Sequence, residues 1–143
     1  MLKDGYYALY KGKEYHMTSD EAKQLYIYTN NESIVDETFV KNDIPWALYE
    51  KIVQPSELDD VYCIITYAYV EGNRRLGVSK ETDDMVLVFT SGEDEDLIEK
   101  YQLKEVDRYV YEGWINKNEV QLVEEREDMT RQFGVIKRSR NGE

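Results

Sequence analysis

Nucleophilic or acid–base catalysis would have to pass through His16 or Cys63, because the chain holds one histidine and one cysteine. His16 stands between Tyr15 and Met17 with no second histidine to complete a triad or a metal site, which favours a structural or surface role. Cys63 lies in the apolar run VYCII at 61–65, with no Lys or His beside it to lower its pKa, so a buried, unreactive thiol is expected. The remaining candidates are six carboxylates, Asp83 and Asp84 in one turn and Glu93, Asp94, Glu95 and Asp96 in the next. These acids lack the loop glycine and the bidentate glutamate of an EF-hand, and neither GxGxxG nor GxxxxGK occurs. No catalytic residue, metal or cofactor is therefore expected. The run 93–96 suits the first turn of a helix, where carboxylates meet the positive end of the dipole. Together with Asp83 and Asp84 it is expected to form one acidic patch.

A patch of this kind fits the charge of the whole chain. Thirty acids against 18 bases give a net charge of −12. The acids are spread over both halves, and only the tail, with KRSR at 137–140, is basic. Nucleic acid phosphates and anionic lipid call for the opposite sign. The acidic field suits a basic protein partner, and mere solubility is the competing explanation. No stretch is long and apolar enough for a membrane span, and the N-terminus lacks the pattern of a secretory signal, so a cytoplasmic protein is expected. The 13 tyrosines read first as strand formers, with stacking surfaces for a peptide as the alternative.

The elements that must position these residues come in two similar sets. YALYKG at 7–12 is matched by YAYVEG at 67–72, and in the same order Tyr28-Thr29 by Phe89-Thr90 and Tyr49-Glu50 by Tyr111-Glu112. Alternation predicts strands over 6–11, 14–18, 24–29 and 46–53 in the first set. The second set has strands over 74–79, 85–90 and 108–116, with a helix inside 91–107. The unbroken run 61–71 serves both sets, and 119–126 continues as a strand or a charged helix. The interlude 32–42 fits two helical turns or a packed loop. The expectation is a mainly β protein with short helices, built as tandem duplicated SH3-like small barrels that share a continuous central strand. The expected divisions are a first repeat over 1–60, a second over 61–125 and a charged, partly disordered extension over 126–143. The alternation also places Trp114 against the core.

Through the opening GYYALYKGKEY and the closing YEGWINKNEV, residues 5–123 resemble an uncharacterised group of small two-repeat proteins from Gram-positive, Bacillus-like bacteria. The resemblance implies a cytosolic bacterial protein and no particular chemistry. The function expected from the residues is non-catalytic binding of a basic protein, for example by an immunity or antitoxin-type protein that masks a basic effector. The alternative is a structural or regulatory module that binds peptides in tyrosine-lined grooves.

Overall fold

The computed structural model describes residues 2–137, and it is mainly β with antiparallel pairing. The chain forms two compact units, one from residues 5–64 with 126–137 and the other from residues 2–4 with 65–125.

In the first unit, β1 (Gly5–Tyr10) and β2 (Lys13–Ser19) are joined by Lys11 and Gly12, with φ of 50° and 77°. Positive φ at both central residues is what a two-residue turn needs to match the strand twist. β3 (Leu25–Thr29), the two-residue β4 (Val40–Lys41), β5 (Tyr49–Val53) and the start of β6 (Asp60–Val70) complete the order β4-β5-β3-β2-β1-β6. Strand alternation sends Ala8, Tyr10, Tyr15, Met17, Leu25 and Ile27 into one core, closed by Leu58, Val61 and Val135. Tyr7, His16, Tyr28 and Glu50 stand opposite one another in a row across the other face.

The second unit uses the remainder of β6, then β7 (Arg74–Glu81), β8 (Met85–Ser91), α1 (Glu95–Lys100), β9 (Lys104–Asp107) and β10 (Val110–Asn116). Its order is β6-β7-β8-β10-β9. Val70, Leu76, Val78, Val86, Val88, Leu97, Leu103 and Ile115 make its core. Here Tyr67, Gly77, Phe89 and Glu112 form the row across the outer face. A last strand, β11 (Gln121–Asp128), pairs with β6.

Several expectations are corrected. Closed SH3-like barrels do not form: in each unit the hydrogen-bonded path is open, and its outer strands, β4 and β9, are only two and four residues long. The strand expected over 46–53 begins at Tyr49, because residues 44–47 close a turn in which the Ala47 amide donates to the Ile44 carbonyl at 3.0 Å. Of the two alternatives for the interlude 32–42 the packed loop is found: after a single 3-10 turn, Glu32–Ile34, the chain packs Ile34 and Phe39 against the core and enters β4. Trp114 is 45% exposed rather than buried. Its neighbour Ile115 takes the core side, and the period of two then puts Trp114 on the opposite face. Residues 126–137 pack with the first unit, where the Met129 amide donates to the Val61 carbonyl at 2.9 Å. The expectation of a disordered end falls, beyond Lys137, on residues outside those described.

Candidate functional site

The two rows show what a single side chain does to a sheet face. In the first unit the His16 ring lies between Tyr7 and Tyr28, with centroid separations of 4.9 Å and 5.2 Å, and Tyr62 continues the stack 5.9 Å beyond Tyr7. The Arg126 guanidinium lies 3.4 Å over the Tyr62 ring and donates to Asp60 at 2.8 Å. This face is filled. In the second unit the residue between Tyr67 and Phe89 is Gly77, which has no side chain to stack. The Phe89 ring tips into the vacancy, so close that a Cβ at position 77 would sit 2.3 Å from it.

The result is an apolar cleft of about 490 Å³, walled by Tyr67, Gly77, Phe89 and Tyr109 and edged by Thr66, Thr90, Ser91 and Asp4. Its size is that of a small-ligand or anchor-side-chain pocket. The strands that wall it are irregular at the cleft itself. The β7–β8 register shifts between Val78 and Lys80, and the β10–β9 register shifts between Val110 and Tyr111. Bulges of this kind re-aim side chains and twist strands locally.

Tyr109 is the most unusual wall residue. It holds a left-handed φ of 62° while 66% exposed, with its carbonyl accepting from the Gly92 amide at 3.0 Å. A bulky side chain in that conformation costs about 1–2 kcal/mol, and this ring recovers little of it through burial. The Arg108 guanidinium lies 5.4 Å from the Tyr109 ring, and that of Arg75 lies 3.9 Å from Tyr67. Arg75 is in turn clamped by both Glu125 oxygens, at 2.7 Å and 2.8 Å; the hydrogen bond from the Tyr69 hydroxyl, and then those from Arg75, hold the Glu125 carboxyl below its usual range.

The six expected site acids separate into two groups. Asp83 and Asp84 lie in the β7–β8 turn, in a separate depression with Asn116, Lys117 and Asn118. Glu93 to Asp96 follow the other end of β8, six residue steps or about 20 Å away. Only the second group borders the cleft: the hydroxyl of Thr90, a cleft residue, donates to Asp94. Glu93 and Glu95 are exposed, while Asp96 pairs with Arg74 at 2.6 Å, which holds its carboxyl below the usual range. Asp4 adds a carboxylate that composition alone did not single out, fixed by the Thr66 amide at 3.0 Å and the Thr66 hydroxyl at 2.6 Å.

The residues considered first for chemistry lie elsewhere. Cys63 is buried and its thiol faces Glu127 at 3.8 Å; burial, then the neighbouring carboxylate, pushes its pKa up. Among the described residues no three His, Cys, Asp or Glu side chains converge as a metal site would require, and no helix is long and apolar enough to cross a membrane. One feature of the sequence could have pointed to the cleft, a glycine inside the strand pattern RRLGVSK, which marks a bulge or a close approach, whereas Tyr109 fell inside the strand expected over 108–116, which begins only at Val110.

Residues 2–132 match the model of a family described as "Uncharacterised conserved protein UCP033725". The chain belongs to this family. No curated protein matches the chain, and no solved structure does.

Proposed function

We propose that the chain is a non-catalytic, acidic protein-binding module whose contact centre is the cleft of the second unit, and that its partner is a basic protein. The observation that carries this reading is Tyr109. An exposed aromatic ring at the edge of an apolar cleft, carried at the two-residue β9–β10 turn on a left-handed φ that bulky residues seldom adopt, is suited to anchor a partner. The carboxylates on the rim and the net charge of −12 supply attraction at a distance, which acts chiefly on the rate of encounter. An immunity or antitoxin-type protein that masks a basic effector is the concrete form of this reading, in a cytoplasmic setting. The corresponding pairings Tyr7–His16–Tyr28–Glu50 and Tyr67–Gly77–Phe89–Glu112 support descent of both units from one duplicated SH3-like element, with the second copy open for binding where glycine stands in the place of histidine.

The test compares wild type with Tyr109→Asn, since Asn tolerates positive φ and removes the ring without disturbing the turn. A partner retained on immobilised wild-type chain at low salt is purified, and its affinity for both chains is measured by surface plasmon resonance. The expected result is binding at least tenfold weaker in the variant, with unchanged melting and steep salt dependence in the wild type. Equal affinities would remove the cleft from the interface. Weaker binding of the variant with no salt dependence would favour a regulatory peptide-binding module that uses the same tyrosine-lined groove.

A further inference from the structure

Resting on that reading, we infer that the cleft of the second unit is a receptor for the ammonium group of a lysine side chain presented by the partner. Three aromatic rings, Tyr67, Phe89 and Tyr109, wall the cleft, and among the described residues no lysine or arginine lines it. Aromatic faces attract a cation through their quadrupole, and the attraction grows as the site sheds water. Two of the rings already take a guanidinium alongside, Arg75 on Tyr67 and Arg108 on Tyr109. The charge of Arg75 is answered by Glu125, and against Arg108 stand Asp4 in the wall and Asp94, which accepts from the lining residue Thr90.

Asp4 decides between the two basic side chains. Its Oδ1 already accepts two hydrogen bonds from Thr66, so only Oδ2 lacks a partner among the described residues. A guanidinium binds a carboxylate best through two parallel bonds to both oxygens, and that arrangement is blocked. An ammonium group is a compact charge that needs one acceptor, and its four-carbon stem can lie along the apolar wall between Tyr67 and Phe89. The hydroxyls of Ser91 and Thr66 at the edge of the cleft can accept its other protons.

The experiment uses the full chain labelled with nitrogen-15 and three probes: the N-acetyl, N-methylamide derivatives of lysine, norleucine and arginine. Amide shifts of Thr66, Tyr67, Phe89 and Tyr109 are followed by NMR as each probe is added. Lysine should move these four resonances with saturation in the millimolar range, norleucine should move them at least about fivefold more weakly, and arginine should fall between the two. Asp4→Asn keeps the acceptor for Thr66 and removes the charge, so it should weaken the lysine response about fivefold without moving the norleucine response. Equal responses to lysine and norleucine would overturn the inference and leave an apolar docking cleft intact. An arginine response stronger than that of lysine would overturn the choice of ammonium. No response at these residues to any probe would overturn the inference as well, and the partner-binding comparison of Tyr109→Asn then judges the docking reading separately.

Discussion

Substituting Gly77 by alanine tests the packing that opens the cleft. The backbone at position 77 has no positive φ, so alanine meets no backbone strain, and in a strand it is about 0.5–1 kcal/mol better than glycine. The side chain, however, would place its Cβ 2.3 Å from Phe89 Cζ and 2.6 Å from both Cε atoms. Overpacking of this kind costs about 1–3 kcal/mol. The clashing atoms are the far end of a ring that is already 40% exposed, so it can swing outward, and the cost belongs at the lower end of that range. The net expectation is a loss of about 0–1 kcal/mol, or up to roughly 3 °C in Tm for a chain of this size. The decisive measurement is a double-mutant cycle with Phe89→Ala, followed by urea unfolding. With the ring gone, Gly77→Ala should change sign and stabilise by about 0.5–1 kcal/mol. If Gly77→Ala costs the same with and without Phe89, the ring does not lie over the glycine, and the account of how the cleft forms fails.

Further outcomes follow from the same geometry. Tyr109→Asn should melt with or up to about 1 kcal/mol above wild type, because it relieves left-handed strain; a clear loss of Tm would show that the ring supports the fold. Leu97→Ala should cost about 2–5 kcal/mol by thermal or urea unfolding, since Leu97 is the only residue of α1 that is fully buried against the core of the second unit. The carboxylates of Glu125, Asp96, Asp36 and Asp128 are held below their ordinary range, in each case first by a side-chain hydrogen bond. Depressed folded-state values mean that their contribution is complete above about pH 4.5 and is lost as pH falls, so Tm should be level from pH 7 to about 5 and decline below, as measured by calorimetry. Glu93→Gln with Asp94→Asn and Glu95→Gln should slow association with the partner in stopped-flow at low salt, whereas Asp83→Asn with Asp84→Asn should not, because the two groups lie about 20 Å apart.

The strands were legible in the sequence because they are runs of β-branched and aromatic residues bounded by turn residues. Alternation in QLYIYT sends Leu25, Ile27 and Thr29 inward, as the structure shows, whereas β1 buries Tyr7 beside Ala8 and β8 buries Val86, Leu87 and Val88 in succession. Closure of the sheets was not legible, since no local pattern reports whether the first and last strands of a path meet, and outer strands as short as β4 leave almost no trace. Trp114 was placed in the core by strand alternation, but Ile115 beside it fits the same alternation in the other phase, and a sequence cannot say which of two adjacent apolar residues faces inward. Asp83, Asp84, Glu93, Glu95 and Asp96 are exposed as expected while Asp94 is half-buried against Thr90, and the joint placement of the six depended on the length of β8, which carries the two groups to opposite ends. The cleft itself arises from a glycine in mid-strand and a tyrosine with positive φ. Neither has a chemical motif, so a search for reactive groups passed them by.

The claim that the cleft of the second unit is the contact centre can be tested inside cells with a photo-crosslinking amino acid placed singly at Ser91, on the edge of the cleft, or at Asp83, at the far end of β8. The account predicts a discrete adduct with a basic protein from position 91, which disappears when Tyr109→Asn is added and weakens at raised salt, and no such adduct from position 83. Adducts of equal yield from both positions, or an adduct at 91 that Tyr109→Asn leaves untouched, would contradict it.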